Sequence, residues 1–301
     1  MEKRPFGKTG LQVTPIGFGA AEIGYLGVPQ NECTALLTEI LDLGINVIDT
    51  AACYADSEAK IGPAISARRK EFILSTKCGH HVEADDPAEW TPQVVRKSAE
   101  RSLHRLRVDY LDVLLLHSCA ADKLRNDAMI EALIKCKSDG LTRWIGYSGD
   151  AAALSTAIDM NVFDCIETSV NFVDQSVIDQ HLPQAQKHNL GVIAKRPLAN
   201  ACWRQEMPGG YSEYARPYIE RLGKMGFTPQ SMGFDGDWAE LALRFTVFQP
   251  GVHVGIIGGH NIEHIKANIA AVEKGPLPES VLSNLRQVWK EHAAPEWVGQ
   301  T

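Results

Sequence analysis

The sequence predicts an α/β fold in which eight parallel strands close into a (β/α)8 TIM barrel. Strand and helix patterns alternate eight times from Ile16 onward, and such alternation is typical of a parallel sheet with helical crossovers. Eight units in a chain of 301 residues also fit the size of a barrel, which is typically about 250 residues. The alternative, an open doubly wound sheet, favours a glycine fingerprint after its first strand, but Glu22 stands where the third glycine belongs.

The first elements follow from apolar spacing and from the residues that end helices. Residues 3–16 carry a Lys-Thr-Gly turn between two short apolar pieces, which predicts an N-terminal β-hairpin. Apolar residues recur at helical spacing between 36 and 43, and Gly44 is placed to end that helix. The apolar run from Ile45 to Ile48 then predicts a strand that is buried on both faces and ends at Asp49.

The same reasoning assigns the rest of the chain to one domain, residues 1–301. A Pro183 interruption is expected in the helix at 174–189. Residues 197–236 are rich in Gly and Pro and predict a long loop, which in a barrel is often functional, such as a lid. The further predicted strands are 72–77, 111–117, 143–148, 165–170, 192–195 and 254–257, and the further helices are 57–69, 91–107, 127–139, 150–160, 237–248, 261–273 and a C-terminal tail helix at 278–292.

Composition excludes several classes of partner. The net charge of −7 and the pI near 5.8 argue against a nucleic-acid or anionic-membrane surface. No apolar run approaches the roughly 20 residues that a membrane span needs, and no secretory signal follows Met1. Seven cysteines without a C-x-x-C pair indicate reduced thiols and a cytoplasmic location. We expect a monomer or small homo-oligomer that acts on a small molecule.

Four polar residues follow successive strands of the predicted barrel. Asp49, Lys77 and His117 end strands two, three and four, and Tyr54 lies on the loop after strand two. Each alone has an ordinary structural explanation, as a helix cap, a surface ion pair or a packed histidine. Because a barrel gathers the carboxyl ends of its strands at one rim, all four together indicate a catalytic site.

The four residues also have a joint mechanism. Asp49 keeps Lys77 charged and oriented, and a charged Lys77 lowers the pKa of the Tyr54 phenol from about 10. A tyrosine tuned in this way exchanges a proton with a carbonyl or alcohol oxygen. His117 supplies a second hydrogen bond to that oxygen.

Here the sequence resembles the aldo-keto reductases over nearly its whole length. The matching pieces are GKTGLQVTPIGFG at 7–19, GINVIDTAACYADSE at 44–58, STK at 75–77, VDYLDVLLLH at 108–117, IGYSG at 145–149, GVIAKRPL at 191–198 and IIGGHNIEHIKANIAA at 256–271. The family's Asp-Tyr-Lys-His tetrad falls on Asp49, Tyr54, Lys77 and His117. The hairpin at 3–16 resembles the one that plugs the bottom of these barrels. The resemblance implies an NAD(P)H-dependent carbonyl reductase that acts on aldehydes, ketones or sugars, or an alcohol dehydrogenase, without a metal.

The resemblance also implies where cofactor and substrate bind. Substrate contacts fall on Tyr54, His80, His117 and Trp297. The cofactor contacts that it implies are Gly19, Asp49, Ser148, Glu167, Val170, Arg196, Pro197, Leu198, Ala199, Ile257, Gly258, Gly259, His260, His264 and Asn268.

Three positions depart from the family pattern. Val170 stands in place of the aromatic residue that stacks on nicotinamide, with Phe172 close by. Glu167 replaces a glutamine that binds the carboxamide, and Gly149 replaces an asparagine. Family habit favours NADPH, whereas His260 and His264 are weak partners for a 2′-phosphate and suit NADH.

Two further patterns leave alternatives open. Cys53, Cys78 and Cys119 lie near the proposed catalytic residues, and His80 and His81 follow Cys78. A metal site is one interpretation, but the close ligand spacing typical of zinc is missing. The thiols otherwise either fill space or are made oxidation-sensitive by Lys77. The alternative function is a nucleotide-sensing regulatory or binding subunit on the same fold, with little turnover, as in the β subunits of potassium channels.

Overall fold

The computed structural model describes residues 1–204 and 211–300, and it confirms the predicted barrel. Eight parallel strands close in the order β10-β3-β4-β5-β6-β7-β8-β9. A separate antiparallel pair, β1 and β2, precedes them. The strands are β1 Arg4–Pro5, β2 Gln12–Val13, β3 Ile16–Gly19, β4 Val47–Asp49, β5 Ile73–Cys78, β6 Leu111–His117, β7 Thr142–Ser148, β8 Cys165–Ser169, β9 Gly191–Lys195 and β10 Val254–Ile257.

Helices cover the outside of the barrel, and several begin where the sequence provides a cap. The Thr91 hydroxyl accepts the Val94 N–H at the start of α4, and Asn261 caps α12 in the same way. In the part of the chain that the structure describes, no helix is both long and apolar enough to span a membrane. The helices are α1 Ala21–Tyr25, α2 Gln30–Asp42, α3 Ser57–Ile65, α4 Pro92–Leu106, α5 Ala121–Leu124, α6 Asp127–Ser138, α7 Ala151–Met160, α8 Ser176–Gln180, α9 Leu182–Lys187, α10 Tyr211–Met225, α11 Trp238–Val247, α12 Ile262–Glu273 and α13 Glu279–His292.

The N-terminal hairpin closes the end of the barrel where the strands begin. Phe6 and Val13 of the hairpin pack in one buried cluster with Val47, Val113 and Val254, which lie at the starts of β4, β6 and β10. These side chains fill the lower barrel interior. The chemistry is therefore confined to the opposite end, where the strands finish.

The prediction of a long loop over 197–236 is wrong for residues 211–225, which form α10. Tyr218 on this helix is fully buried, and its hydroxyl donates to Asp174 Oδ2 at 2.8 Å. Residues 205–210 lie outside the described residues. The described part of the predicted lid is therefore an anchored helix and not a structureless loop. Pro217 lies inside the helix, which is why composition favoured a loop.

The predicted interruption at Pro183 is confirmed. Two short helices, α8 and α9, replace one continuous helix, and Pro183 lies in the first turn of α9. Proline is tolerated in a first turn because the N–H that it lacks has no partner inside the helix.

Candidate active site

Strand alternation places the polar side chains at one end of the barrel interior. Residues two apart in a strand point to the same face. Val47, Val113 and Ile193 belong to the inner cluster, so residues two or four positions further along these strands also point inward. The inward positions near the strand ends are Asp49 on β4, Lys77 on β5, His117 on β6, Ser148 on β7, Glu167 on β8 and Lys195 on β9.

Lys77 lies at the centre of this polar layer and is 1% exposed. Its Nζ donates to Asp49 Oδ2 at 2.5 Å and to the Thr50 carbonyl at 3.0 Å. Glu167 Oε2 lies 3.3 Å from the same nitrogen. One buried cation thus faces two buried carboxylates, and Glu167 is a charge that the family pattern does not predict.

The pKa values of Lys77 and Asp49 reflect the presence of two carboxylates around one ammonium group. Burial acts to lower the pKa of Lys77, but Asp49 and Glu167 outweigh it and hold that pKa well above its usual value. Burial and then the charge of Glu167 raise the pKa of Asp49 to about 7, against the opposing effect of Lys77. Lys77 therefore stays charged, and ionising Asp49 beside Glu167 would place two negative charges against one positive charge, which is why Asp49 holds its proton more tightly.

Tyr54 lies directly above this layer. Lys77 Nζ is 5.2 Å from the centre of the Tyr54 ring, and the rings of Tyr54 and His117 meet edge to face at 5.6 Å. The expected lowering of the Tyr54 pKa is wrong in direction. Burial raises the pKa of Tyr54, Lys77 acts to lower it, and the charges of Glu167 and Asp49 add to the burial effect.

His117 is held neutral beside a thiol. Burial, followed by the charge of Lys77, lowers the pKa of His117 well below its usual value. Cys53 Sγ lies 3.3 Å from His117 Nδ1, and burial raises the pKa of Cys53 to about 11. We assign the protonated thiol as donor to Nδ1. The ring proton is then on Nε2, where it can donate to a substrate oxygen.

His80 completes the outer wall of this site. Its ring lies 5.0 Å from that of His117 and 4.6 Å from that of Trp90. His80 Nδ1 is 3.1 Å from Glu89 Oε1. The position suits the predicted contact with substrate, since His80 adjoins His117 and remains partly exposed.

Trp297 lies elsewhere. It is 6% exposed and packs against Trp289 with a ring separation of 5.7 Å, beneath Arg221 and Lys224. A side chain covered in this way cannot form the predicted substrate wall. The chain beyond it instead reaches the rim, where the Gln300 carbonyl accepts from Arg196 Nη1 at 2.7 Å.

The residues predicted to hold the nicotinamide divide into two groups. Ser148 and Glu167 lie side by side in register at the ends of β7 and β8, and Gly19 pairs with Asp49 on the opposite side. Val170 is fully buried in the main core, and Phe172 is fully buried in the cluster under α10 and α11. Neither of these two side chains exposes a surface on which a nicotinamide could stack, which corrects the expectation for Val170.

The loop after β9, with the predicted residues Arg196, Pro197, Leu198 and Ala199, has a strained backbone. Positive φ values, between 47° and 58°, occur at Arg196, Ala199, Asn200 and Ala201. Residues other than glycine rarely adopt this backbone conformation. Within the described residues, the buried Asn200 Nδ2 has no hydrogen-bond partner. Strained backbone beside an unused donor is typical of a ligand-binding loop, and the donor suits the anionic pyrophosphate of a nicotinamide cofactor.

The end of β10 forms the second predicted cofactor segment. Gly258 is exposed and Gly259 has φ of 137°, ahead of α12, which begins at Ile262. Ile257 and Asn268 are buried, whereas His260 and His264 are exposed. Two glycines before a capped helix leave backbone N–H groups open to an anion.

The cysteines near the site are not activated. Burial raises the pKa of Cys119 to about 12 and that of Cys78 well above its usual value. Lys77 acts to lower the pKa of Cys53, but burial is the larger effect. Thiols that keep their protons are poor nucleophiles, so these pKa values favour the space-filling alternative over oxidation sensitivity.

One buried ion pair was missed by sequence reasoning. Lys195 Nζ lies 2.8 Å from Asp150 Oδ2, whose partner oxygen accepts from Thr168 Oγ1 and the Ser169 N–H. The available signal was the position of Lys195 two residues after Ile193, on the inward face of β9. This pair fixes the rim between β7 and β9.

Comparisons with known proteins agree with this geometry. The family model described as "Aldo/keto reductase family" matches residues 15–290. L-galactose dehydrogenase of Arabidopsis thaliana is 30% identical over 288 residues, covering 90% of this chain and 88% of the relative. NADH-specific methylglyoxal reductase of Escherichia coli (strain K12) is 26% identical over 316 residues, covering 90% of this chain and 94% of the relative.

A solved structure supports the same assignment. The holo form of an aldo-keto reductase from Bacillus halodurans superposes with a TM-score of 0.83 at 26% identity, and 99% of each chain is covered. The family uses nicotinamide cofactors to interconvert carbonyls and alcohols. The chain therefore belongs to the aldo/keto reductase family and is an oxidoreductase.

Proposed function

We propose that this oxidoreductase reduces small aldehydes, ketones or sugars with NAD(P)H and oxidises the corresponding alcohols, with Tyr54 as the proton donor and acceptor. One observation carries the proposal. The phenol of Tyr54, the buried ammonium of Lys77 and the neutral imidazole of His117 converge at the open end of one barrel. No other set of described residues combines a proton donor, its tuning charge and a second hydrogen-bond donor in this way.

Bound NAD(P)H supplies a hydride to the carbonyl carbon. Residues of the chain protonate the carbonyl oxygen and hydrogen-bond to it. Tyr54 gives its proton to that oxygen, and Nε2–H of His117 donates a hydrogen bond that stabilises the negative charge as it develops. Lys77 opposes the effect of burial on Tyr54, and Asp49 keeps Lys77 charged and aimed.

Ser148 and Glu167 are the residues placed to hold the nicotinamide carboxamide. They are neighbours in register at the rim, and Glu167 Oε2 is ion-paired with Lys77 Nζ at 3.3 Å, with no hydrogen bond from any other described group. A carboxylate accepts from an amide NH₂ where a glutamine accepts through its carbonyl oxygen. The substitution therefore preserves the contact and adds a charge.

Charges near α12 favour NADH over NADPH. Glu22 Oε2 lies 3.7 Å from His260 Nδ1, and a Cβ added to Gly258 would lie 3.2 Å from Glu22 Oε1. Lys266 is already paired with Glu39 at 2.8 Å and Glu263 at 3.0 Å. A 2′-phosphate here would meet an uncompensated carboxylate and a cation that is already neutralised. We propose NADH as the preferred cofactor, against the NADPH that family habit indicates.

The substrate class is drawn from relatives and from the polar rim. Relatives are named for L-galactose, D-threo-aldose and methylglyoxal. Beside His117, the wall of this site is formed by His80, Trp90 and Glu89, which offer two polar groups and one aromatic face. Such a wall suits a short hydroxylated or dicarbonyl substrate.

The test has two steps. The purified chain is titrated with NADH and NADPH separately, by quenching of tryptophan fluorescence, and is then assayed with a panel of short aldehydes, ketones and aldoses. We expect tighter binding of NADH and turnover of at least one aldehyde or sugar. Tight binding without turnover of any panel member would instead favour the regulatory-subunit alternative. We propose that the chain acts as a single barrel domain; its cytoplasmic location and oligomeric state stay predictions.

A further inference from the structure

Three potential metal ligands meet on the substrate side of the barrel mouth. Cys53 Sγ and one nitrogen each of His80 and His117 all lie within 4.8 Å of one another. All three residues are partly exposed, so an ion can reach them from solvent. Cys53 comes from the loop after β4, His80 from the loop after β5 and His117 from the end of β6. Sequence spacing did not predict the cluster, because the three ligands come from separate loops and strands.

We propose that Cys53, His80 and His117 bind a thiophilic divalent cation, with Zn²⁺ as the best match, and that the bound ion blocks reduction at the active site. The role of blockade rests on the proposed function; the binding itself does not. Two imidazoles and one thiolate are ligands that zinc prefers, and three protein ligands leave a fourth position open.

The distances are close to those of a tetrahedral site. With Zn–S of about 2.3 Å and Zn–N of about 2.0–2.1 Å, sulfur and nitrogen ligands are separated by roughly 3.5 Å. Cys53 Sγ and His117 Nδ1 already lie 3.3 Å apart. His80 needs to approach by about 1 Å, which a rotation of a partly exposed ring provides.

Glu89 supports the site from outside. Its Oε1 lies 3.1 Å from His80 Nδ1 and also accepts the His81 N–H at 3.2 Å. A carboxylate on one ring nitrogen fixes the tautomer and leaves Nε2 as the ligand, which is the usual arrangement around protein-bound zinc. His80 is thus oriented for an ion before any ion binds.

The local charges tolerate a cation. Lys77 repels one, but Asp49 and Glu167 more than neutralise Lys77. Glu89 adds a further negative charge next to His80. On binding, a Zn–S bond forms, the thiol proton of Cys53 passes to solvent, and no electrons are transferred.

The ion would lie on the wall of the site next to the substrate oxygen. His117 is the proposed hydrogen-bond donor to that oxygen, and its ring lies 5.6 Å from that of Tyr54. An ion on His117 Nδ1 leaves Nε2 free, and it would obstruct the substrate through its ligand His80, the predicted substrate contact, whose ring lies 5.0 Å from that of His117. The cofactor segments at the ends of β9 and β10 lie on other strands, so cofactor binding should persist.

Binding is tested with Co²⁺, which reports a thiolate ligand through a charge-transfer absorption band. The full chain is stripped with a chelator, kept reduced, titrated with Co²⁺ and then challenged with Zn²⁺. We expect one Co²⁺ per chain with a thiolate band that Zn²⁺ removes. Cys53→Ser should abolish the band, and His80→Gln should weaken binding. His81→Gln is the matched control, because His81 is exposed and lies one residue outside the cluster.

A fourth variant distinguishes a preorganised metal site from adventitious metal binding. Glu89→Gln leaves the ligands intact and should weaken metal affinity by about 10–100-fold, the usual effect of removing a carboxylate from a zinc-bound histidine. A band of equal strength in Cys53→Ser, or affinity that is the same in Glu89→Gln and the wild type, would overturn the proposal and indicate adventitious surface binding. NADH titration of each variant confirms that it is folded.

Inhibition gives the functional readout. Zn²⁺ should inhibit carbonyl reduction competitively with the carbonyl substrate and leave the Kd of NADH unchanged. Inhibition that is competitive with NADH would contradict the position assigned to the ion. Because the cobalt band needs no turnover, failure of the proposed function would leave the binding test valid.

Discussion

Glu167→Gln tests the buried charge imbalance around Lys77. In the wild type, the pKa of Asp49 is raised from 3.8 to about 7, first by burial and second by Glu167. The folded chain therefore binds more protons than the unfolded chain between these pH values, and the free energy of unfolding falls as pH rises through that window. At about 1.4 kcal/mol per pKa unit, the whole shift corresponds to roughly 4 kcal/mol.

Burial is the larger of the two effects that raise this pKa, and Lys77 opposes both; we take the smaller effect, that of Glu167, as about 1–2 kcal/mol. The effect of Glu167→Gln on the free energy of unfolding is measured against the wild type at each pH. It should be about 1–2 kcal/mol more stabilising at pH 8 than at pH 5. Urea unfolding followed by circular dichroism at both pH values measures the difference. Lys77 is charged at both pH values. The loss of its ion pair with Glu167 therefore affects both measurements equally and cancels in the difference.

Glu100→Gln is the matched control, because Glu100 forms a surface ion pair with Arg96. The control should change stability by less than about 1 kcal/mol, and equally at both pH values. If the pH dependence of Glu167→Gln superimposes on that of the wild type, Asp49 and Glu167 do not share the charge of Lys77, and the reasoning is refuted.

Three further predictions concern the site and its support. Lys77→Met should raise the pKa of Tyr54 and Asp49→Asn should lower it, because these charges act on the phenol in opposite directions; alcohol-oxidation pH profiles that move together would contradict this. Glu22→Gln should strengthen NADPH binding relative to NADH by about two- to fivefold, the effect of one exposed charge, and an unchanged Kd ratio would remove Glu22 from cofactor selection. Tyr218→Phe should lower the free energy of unfolding by about 1–3 kcal/mol, because a buried carboxylate loses its donor, while carbonyl reduction continues; a loss below about 0.5 kcal/mol would argue against that hydrogen bond.

Much of the barrel and the position of its candidate site residues could be predicted because both depend on local pattern. Apolar strands with period-two alternation specify which residues point inward, and helix caps such as Thr91 mark where helices begin. Asp49, Lys77 and His117 each end such a strand. Their convergence follows from closing the barrel, which the number of strand–helix units indicated.

The remainder depended on contacts between distant segments. Sequence identified Glu167 as a departure, but only the register of β8 places it 3.3 Å from Lys77. The Tyr54 pKa was misjudged because burial, which a sequence does not report, outweighs one neighbouring charge. Trp297 was misplaced because it packs against Trp289 on α13 and Arg221 on α10. No spacing pattern in the sequence indicates these contacts.

The central claim is that Tyr54 donates the proton while the rest of the site holds the cofactor. Tyr54→Phe tests it most directly, with the Kd of NADH measured by fluorescence and the rate of NADH oxidation measured in a single turnover with an accepted aldehyde. We expect a Kd close to that of the wild type and a rate reduced by about 10²–10⁴-fold, the usual contribution of a general acid. Retention of more than half of the wild-type rate would contradict the account and remove Tyr54 from the chemistry.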